Sequence, residues 1–341
     1  MTQVTPFQVG ISILICTYNP DEQIFKRTLN SVASLNLPAD LQIECIIIDN
    51  NSPIPIVELA YVQEFLDRCH WARVIAEKQQ GLTYARIAGI EASSNSIGVF
   101  IDDDNEVVPT YIETVIDLFT KYNSVGAWGP GHVNVEFMSA VSDWFRDNFQ
   151  TVFQKRHVRF NEYGYVPETW MSFYPFGTGL CVRRDILEKY RSEVKNGNLS
   201  SSGRKGEALS SGEDIQLVWE GIKMGLAAGV SPALSLNHLI PANRSTLVYV
   251  KRLNFGTAAS CLPCQYSSFP DLKSVDISAP ATTIDIILVL IKTTIKYFIK
   301  FKLNLLVTDL AIYLGSVYGR YQVCQKHNPV LDFIIDKLKL R

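Results

Sequence analysis

Three of the first four apolar runs in this chain stop at a cluster of polar residues, and that recurrence constrains the fold most. The runs cover 9–16, 41–48, 72–76 and 97–101, each short and rich in β-branched residues. Between them 21–34, 57–69 and 82–92 read as helices, followed by another at 111–122; Ile24, Leu29, Val32 and Ala33 take core positions in the first. Near-continuous apolar strands alternating with helices predict a parallel sheet covered on both faces. The first run ends at Thr17-Tyr18-Asn19, the second at Asp49-Asn50-Asn51-Ser52 and the fourth at Asp102-Asp103-Asp104-Asn105. Open α/β sheets bind ligands outside the carboxyl ends of their strands, so these clusters predict a site on one edge.

With 341 residues, 47% hydrophobic and 19% charged, the chain can bury a large core and is not disordered. Its net charge of −2 argues against a nucleic-acid partner held by a general basic field. The average hides an asymmetry. From Ala281 onward there are nine Lys/Arg against four Asp/Glu, a surplus of +5 that leaves −7 for the rest. A basic, apolar tail on an acidic body points to a membrane surface. The seven cysteines are scattered, and only Cys261 and Cys264 have CxxC spacing, with no second pair to complete a zinc site. No basic stretch followed by an apolar run and a cleavage site opens the sequence, so the expected compartment is the cytoplasm.

Past residue 125 the pattern is less regular and rich in glycine and aromatics. The polar loop 196–212 is long enough to be read as functional, and Glu213-Asp214 leads from it into a helix at 215–224. In the tail, Ile284, Leu288, Ile291, Ile295 and Phe298 recur at helical spacing beside a stripe of Lys292, Lys296 and Lys300. A spanning helix needs roughly 20 consecutive apolar residues. This run is shorter, which predicts a helix lying in the membrane interface or docked on the body.

Three adjacent carboxylates, Asp102 to Asp104, raise one another's pKa unless a cation sits among them. A hard divalent ion, Mg²⁺ in particular, is held by one or two carboxylates together with substrate phosphates. Capping the following segment would need only one aspartate. His238 is read as a metal ligand, a phosphate contact or a structural histidine, since imidazole suits Mn²⁺ better than Mg²⁺. Arg244 is read as a clamp on a diphosphate or as a loop charge.

Taken together, Thr17-Tyr18-Asn19, Asp49, the segment 81–89 with Ala85-Arg86, the acidic triplet and Gly212-Glu213-Asp214 resemble family 2 glycosyltransferases over about 10–236. His238-Leu239-Ile240-Pro241 with Arg244 is similar to a bacterial subgroup that includes enzymes of exopolysaccharide assembly. The resemblance implies that Thr17, Tyr18 and Asn19 lie beside the nucleobase or ribose and that Asp49 accepts a hydrogen bond from one of them. It implies that Arg86 contributes to uracil or phosphate binding, that Asp102 faces the ribose or the metal, and that Asp103 borders the nucleotide. Asp104 would bind Mg²⁺ or Mn²⁺. Asp214 would be the catalytic base, with Glu213 as second candidate. The segment 174–179 resembles the acceptor-side turn, with Trp170 and Phe173 available to stack on a sugar or to pack in the core.

The implied architecture is the α/β GT-A fold, Rossmann-like with a mostly parallel sheet, and a C-terminal helical extension. The catalytic domain would span 1–245, with its nucleotide half at about 1–125 and its acceptor half at about 126–245, and the extension 246–341. The implied activity is inverting, metal-dependent transfer of a sugar from a nucleotide-diphosphate donor, UDP favoured, to a saccharide or lipid-linked hydroxyl in polysaccharide biosynthesis. Such a protein would be cytoplasmic or peripheral on the inner face of the membrane. A sugar nucleotidyltransferase would carry a Gly-rich basic loop where this chain has Thr17-Tyr18-Asn19-Pro20. An NAD enzyme would show GxGxxG after the first strand. The carboxylates count against a glycan-binding protein without catalysis.

Overall fold

The computed structural model of the chain describes residues 9–199, 209–272, 280–300 and 303–341. Strand β1 (Ile11–Thr17) leads to helix α1 (Glu22–Ala33), then β2 (Ile43–Asp49), α2 (Ala60–Arg68), β3 (Ala72–Ala76), α3 (Leu82–Ala92) and β4 (Ile97–Phe100). The helix expected at 57–69 is split, because extended backbone at Leu59 separates a 3-10 turn at Ile56–Glu58 from α2. Alternation along β1 sends Ile11, Ile13 and Ile15 to the core beneath α1, α2 and α4 (Tyr111–Lys121), and Leu14 to the core on the opposite face. Helix α1 starts where the Asp21 carboxylate accepts the Ile24 N–H at 3.1 Å, and it buries Phe25, Leu29 and Val32.

Strand β1 pairs in parallel with β2 and β4, and β2 with β3, so that Thr17 is level with Asp49. This register puts the expected polar clusters on one edge. Beyond β4 come β5 (Asn105–Val107), β6 (Val125–Phe137), α5 (Asp143–Phe149), β7 (Arg156–His157), β8 (Glu162–Gly164), β9 (Cys181–Arg183), α6 (Arg184–Lys195), α7 (Glu213–Lys223) and β10 (Ala227–Ile240). The strand order is β3-β2-β1-β4-β9-β6-β10-β5. Strand β9 runs antiparallel to both β4 and β6, whereas β10 runs parallel to β6 and antiparallel to β5. The sheet is therefore mixed, parallel through its first four strands and again between β6 and β10. Its last long strand sets His238 opposite Asn105, next to the acidic triplet.

Helices α8 (Leu247–Ser268), α9 (Thr283–Ile299), α10 (Leu303–Val323) and α11 (Pro329–Lys337) complete the chain. Phe255 and Ala259 of α8 share a separate core with Ile286, Ala311, Leu314, Leu331 and Ile335 of the later helices. Among the described residues no helix is long and apolar enough to cross a membrane. Cys261 and Cys264 lie along α8, one exposed and one buried, and no third ligand joins them among the described residues. In the loop read as functional at 196–212, residues 200–208 lie outside the described residues.

Candidate active site

A cleft of about 290 Å³ opens at the carboxyl edge of β1, β2 and β4. Thr17, Tyr18, Arg86, Asp102, Asp103, Asp104, Glu213, Asp214, His238 and Arg244 all line it. Asp104 and Asp214, 110 positions apart in sequence, thus face one space. Asn19 and Asp49 are not among the lining residues; they brace the rim. The Asn19 N–H donates to Ser52 Oγ at 2.9 Å, and Asp49 accepts the N–H groups of Ser52 and Ile56 at 2.9 and 3.0 Å. Asn50 lines the cleft instead. Its side chain donates to the Gln79 carbonyl and accepts the Gly81 N–H, both at 2.8 Å, closing the loop into α3. Gly81 takes φ 138°, a conformation that favours glycine.

The three aspartates are held differently. Thr17 Oγ1 donates to Asp103 at 2.5 Å, while Thr28 donates to the Asp103 carbonyl at 3.0 Å. Thr178 Oγ1 lies 3.4 Å from Asp102. Asp104 is buried, with Arg244 at 2.7 Å from one oxygen and Asn105 Nδ2 at 3.0 Å from the other. His238 Nε2 is 3.5 Å from that second oxygen. His238 Nδ1 meets the Phe153 carbonyl at 2.9 Å; a carbonyl only accepts, so Nδ1 carries the proton and Nε2 faces Asp104. Burial and the neighbouring Asp104 charge push Asp103 up to about 7. Burial opposes protonation of His238, yet Asp104 raises its pKa on balance.

At the same cleft α7 begins at Glu213, after Gly212. Asp214, in the first turn, accepts the Gly177 N–H and the Ile215 N–H, both at 2.9 Å, so each oxygen is anchored. Glu213 is buried 4.0 Å from the Arg86 guanidinium, which itself lies 5.3 Å from the centre of the Phe100 ring. The pair lets both charges sit in a desolvated place. In the segment 174–179, Gly177 and Thr178 reach the cleft. Trp170 and Phe173 do not line it; Trp170 stacks on Phe176 at 5.6 Å and Phe173 meets Tyr174 edge-on at 5.1 Å. Tyr249, from α8 beyond residue 245, does line it, and no local pattern in the sequence marks it.

The donor set suits a divalent cation. Asp102 and Asp104 offer carboxylate oxygens and His238 an imidazole nitrogen, a mixture acceptable to Mn²⁺ and, through the oxygens, to Mg²⁺. Burial first and the Asp104 charge second raise the Asp103 pKa, more than Thr17 and Arg244 lower it. Among the described residues no three His, Cys, Asp or Glu side chains converge closely enough to hold a metal, so a cation here would need further ligands from a bound substrate.

A mixed α/β sheet with flanking helices and acids on its carboxyl edge defines the GT-A architecture. The chain belongs to glycosyl transferase family 2, whose model matches residues 12–191, more than half of it. It is 26% identical over 200 residues to the glucosyl-dolichyl phosphate glucuronosyltransferase of Haloferax volcanii, and the match spans 58% of each chain. A mannosyltransferase from Pyrobaculum calidifontis, solved with GDP-Man and Mn²⁺, is similar over 97% of this chain and 80% of that one, at TM-score 0.52 and 12% identity. GalNAc-T7, solved with UDP, GalNAc and Mn²⁺, is similar over 68% of this chain and 43% of that one, at TM-score 0.50 and 15% identity. At such low identities the likeness to these two structures shows the fold alone.

Proposed function

We propose that this protein transfers one sugar from a nucleotide-diphosphate donor to an acceptor hydroxyl, inverting the anomeric centre, with Asp214 as general base. The observation that carries the reading is the cleft shared by Asp104 and Asp214, with the acid cluster on the sheet edge and the anchored Asp214 carboxylate at the start of α7. As the acceptor oxygen bonds to the anomeric carbon, the bond from that carbon to the diphosphate oxygen breaks and Asp214 takes the hydroxyl proton. The Gly177 and Ile215 amides orient its oxygens while leaving each a lone pair. Such a base contributes about 10²–10⁴-fold, or roughly 3–5 kcal/mol of barrier.

Arg244 presents a guanidinium fork suited to a diphosphate, and Asp102 and Asp104 with His238 are the groups that would hold Mn²⁺ or Mg²⁺. When bound, that cation supplies positive charge where the departing diphosphate gains negative charge. Thr17, Tyr18, Asn50 and Arg86 border the space left for the nucleoside. UDP is the proposed nucleotide; GalNAc-T7 was solved with UDP and the mannosyltransferase with GDP-Man, so the fold accepts either. The dolichyl-phosphate acceptor in the name of the Haloferax volcanii relative supports a lipid-linked saccharide as acceptor. We place the protein in the cytoplasm, peripheral on the inner face of the membrane.

The test is release of nucleoside diphosphate from a panel of nucleotide sugars with Mn²⁺ and a lipid-linked or saccharide acceptor. Asp214→Asn should cut turnover at least 10²-fold, by about the contribution of a general base, and leave donor affinity within about twofold. Turnover equal to the parent would remove Asp214 as base, and pyrophosphate chemistry in place of nucleoside diphosphate release would mark a nucleotidyltransferase.

A further inference from the structure

Helix α9 is two-faced in an unusual sense. One side, with Ile286 and Leu290, packs into the C-terminal core, and Tyr297 on the same side is buried and bonds to Asp309. On the other, Ile284, Leu288, Ile291, Ile295, Phe298 and Ile299 are each 52–70% exposed. At 3.6 residues per turn they fall within an arc of about 60–120°, a continuous stripe along the helix and not scattered contacts. Lys292, Lys296 and Lys300 form the next row round the helix and make no ion pair among the described residues. A stripe of this size on a protein surface marks an interaction site.

We propose that α9 lies in the plane of an anionic lipid surface, its apolar stripe among the acyl chains and its three lysines at the phosphate level. The charge pattern selects lipid over a second copy of the chain. A two-fold pairing of α9 stripes would need acids facing the lysine row, and the acid on this flank, Asp285, is engaged at the helix start by the Thr282 N–H at 2.9 Å and the Thr282 hydroxyl at 2.7 Å. An interfacial helix combines an apolar face with lysines on its polar flank, and α9 has that form. The proposal concerns a surface apart from the cleft and does not depend on the reaction assigned there.

The test is co-sedimentation of the full chain, without nucleotide or acceptor, with vesicles of phosphatidylcholine containing phosphatidylglycerol and with phosphatidylcholine alone. The protein should pellet with the anionic vesicles and stay in solution with the neutral ones. Ile291→Glu/Phe298→Glu should abolish pelleting, and Lys292→Gln/Lys296→Gln/Lys300→Gln should weaken it about a hundredfold, at about fivefold per lysine. Both variants should melt within about 2 °C of the parent, as substitutions at exposed positions do. Three results would overturn the proposal: a parent that ignores anionic vesicles, a glutamate variant that still pellets, or a glutamate variant that loses melting temperature or converts a dimer to a monomer, since the stripe would then be covered by protein.

Discussion

Gly177 has room for a hydrogen and little more. A Cβ there would come within 2.9 Å of Arg86 Nη2 and 3.2 Å of Asp214 Cβ, while its N–H holds Asp214 at 2.9 Å. Gly177→Ala should therefore displace the proposed base and lower kcat about 10²-fold, the usual cost of an ångström of misplacement. Donor affinity should change less than kcat, because Asp103 and Asp104 are held by Thr17, Asn105 and Arg244 and not by Gly177. Steady-state kinetics with a donor titration would decide it, and an unchanged kcat would mean that Asp214 needs no such anchoring. The acidic triplet was legible in the sequence because its members are adjacent and end an apolar run. Asn50 was legible only as part of a turn, since its partners, Gln79 and Gly81, are brought to it by the pairing of β2 with β3. Asn19 and Asp49, which the resemblance puts beside the nucleoside, do not line the cleft; the Asp49 carboxylate accepts two turn N–H groups and the Asn19 N–H donates to Ser52, as turn residues commonly do.

At the scale of elements, α8 is the part whose importance the sequence hid. Residues Gly256, Ser260 and Cys264 recur every four positions, so they form one stripe on the helix. Segment 209–212 lies along it: the Leu209 carbonyl sits against Gly256, the Ser211 N–H is 3.3 Å from Ser260 Oγ, and Gly212 abuts Cys264. That segment runs straight into Glu213 and Asp214, so α8 fixes where α7 starts. Gly256→Ala would drive a methyl into the Leu209 carbonyl, which is backbone and cannot rotate away. Turnover should fall tenfold or more and stability by about 1–3 kcal/mol, as for other overpacked contacts; full turnover at parental stability would show that the segment finds another seat. Strand β6 was not legible for a related reason. Val125–Phe137 is interrupted by Gly126, Gly129, Pro130 and Gly131, which break the alternation that identifies a strand. Several of these glycines are there because partners come too close for a side chain, Pro175 on Gly129 for example. Such approaches depend on tertiary packing that no window of sequence contains.

For the molecule as a whole, the question is whether the basic tail is a detachable anchor or part of the body. Its helices answer through α8. Gly315 and Gly319 of α10 bring that helix against the backbone of α8 at Phe255 and Ala259, and Lys251 of α8 donates to the Leu338 carbonyl at 2.7 Å. The same helix lends Tyr249 to the cleft and seats the segment before Asp214. Removing 281–341 would uncover Phe255 and Ala259 and strip the support from α8, at a cost of about 1.5–3 kcal/mol for each large apolar side chain newly exposed. The shortened chain 1–280 should melt roughly 10 °C or more below the parent, or aggregate, at 2–4 °C for each kcal/mol lost, and its turnover should drop along with the disorder of α8. A soluble 1–280 chain with parental melting temperature and turnover would show the tail to be an independent module. If instead truncation damages the cleft, loss of vesicle binding on truncation says nothing specific about lipid. Substitutions on the exposed stripe of α9, which leave Ile286 in its core and Tyr297 buried, are then the means of separating attachment to a surface from integrity of the fold.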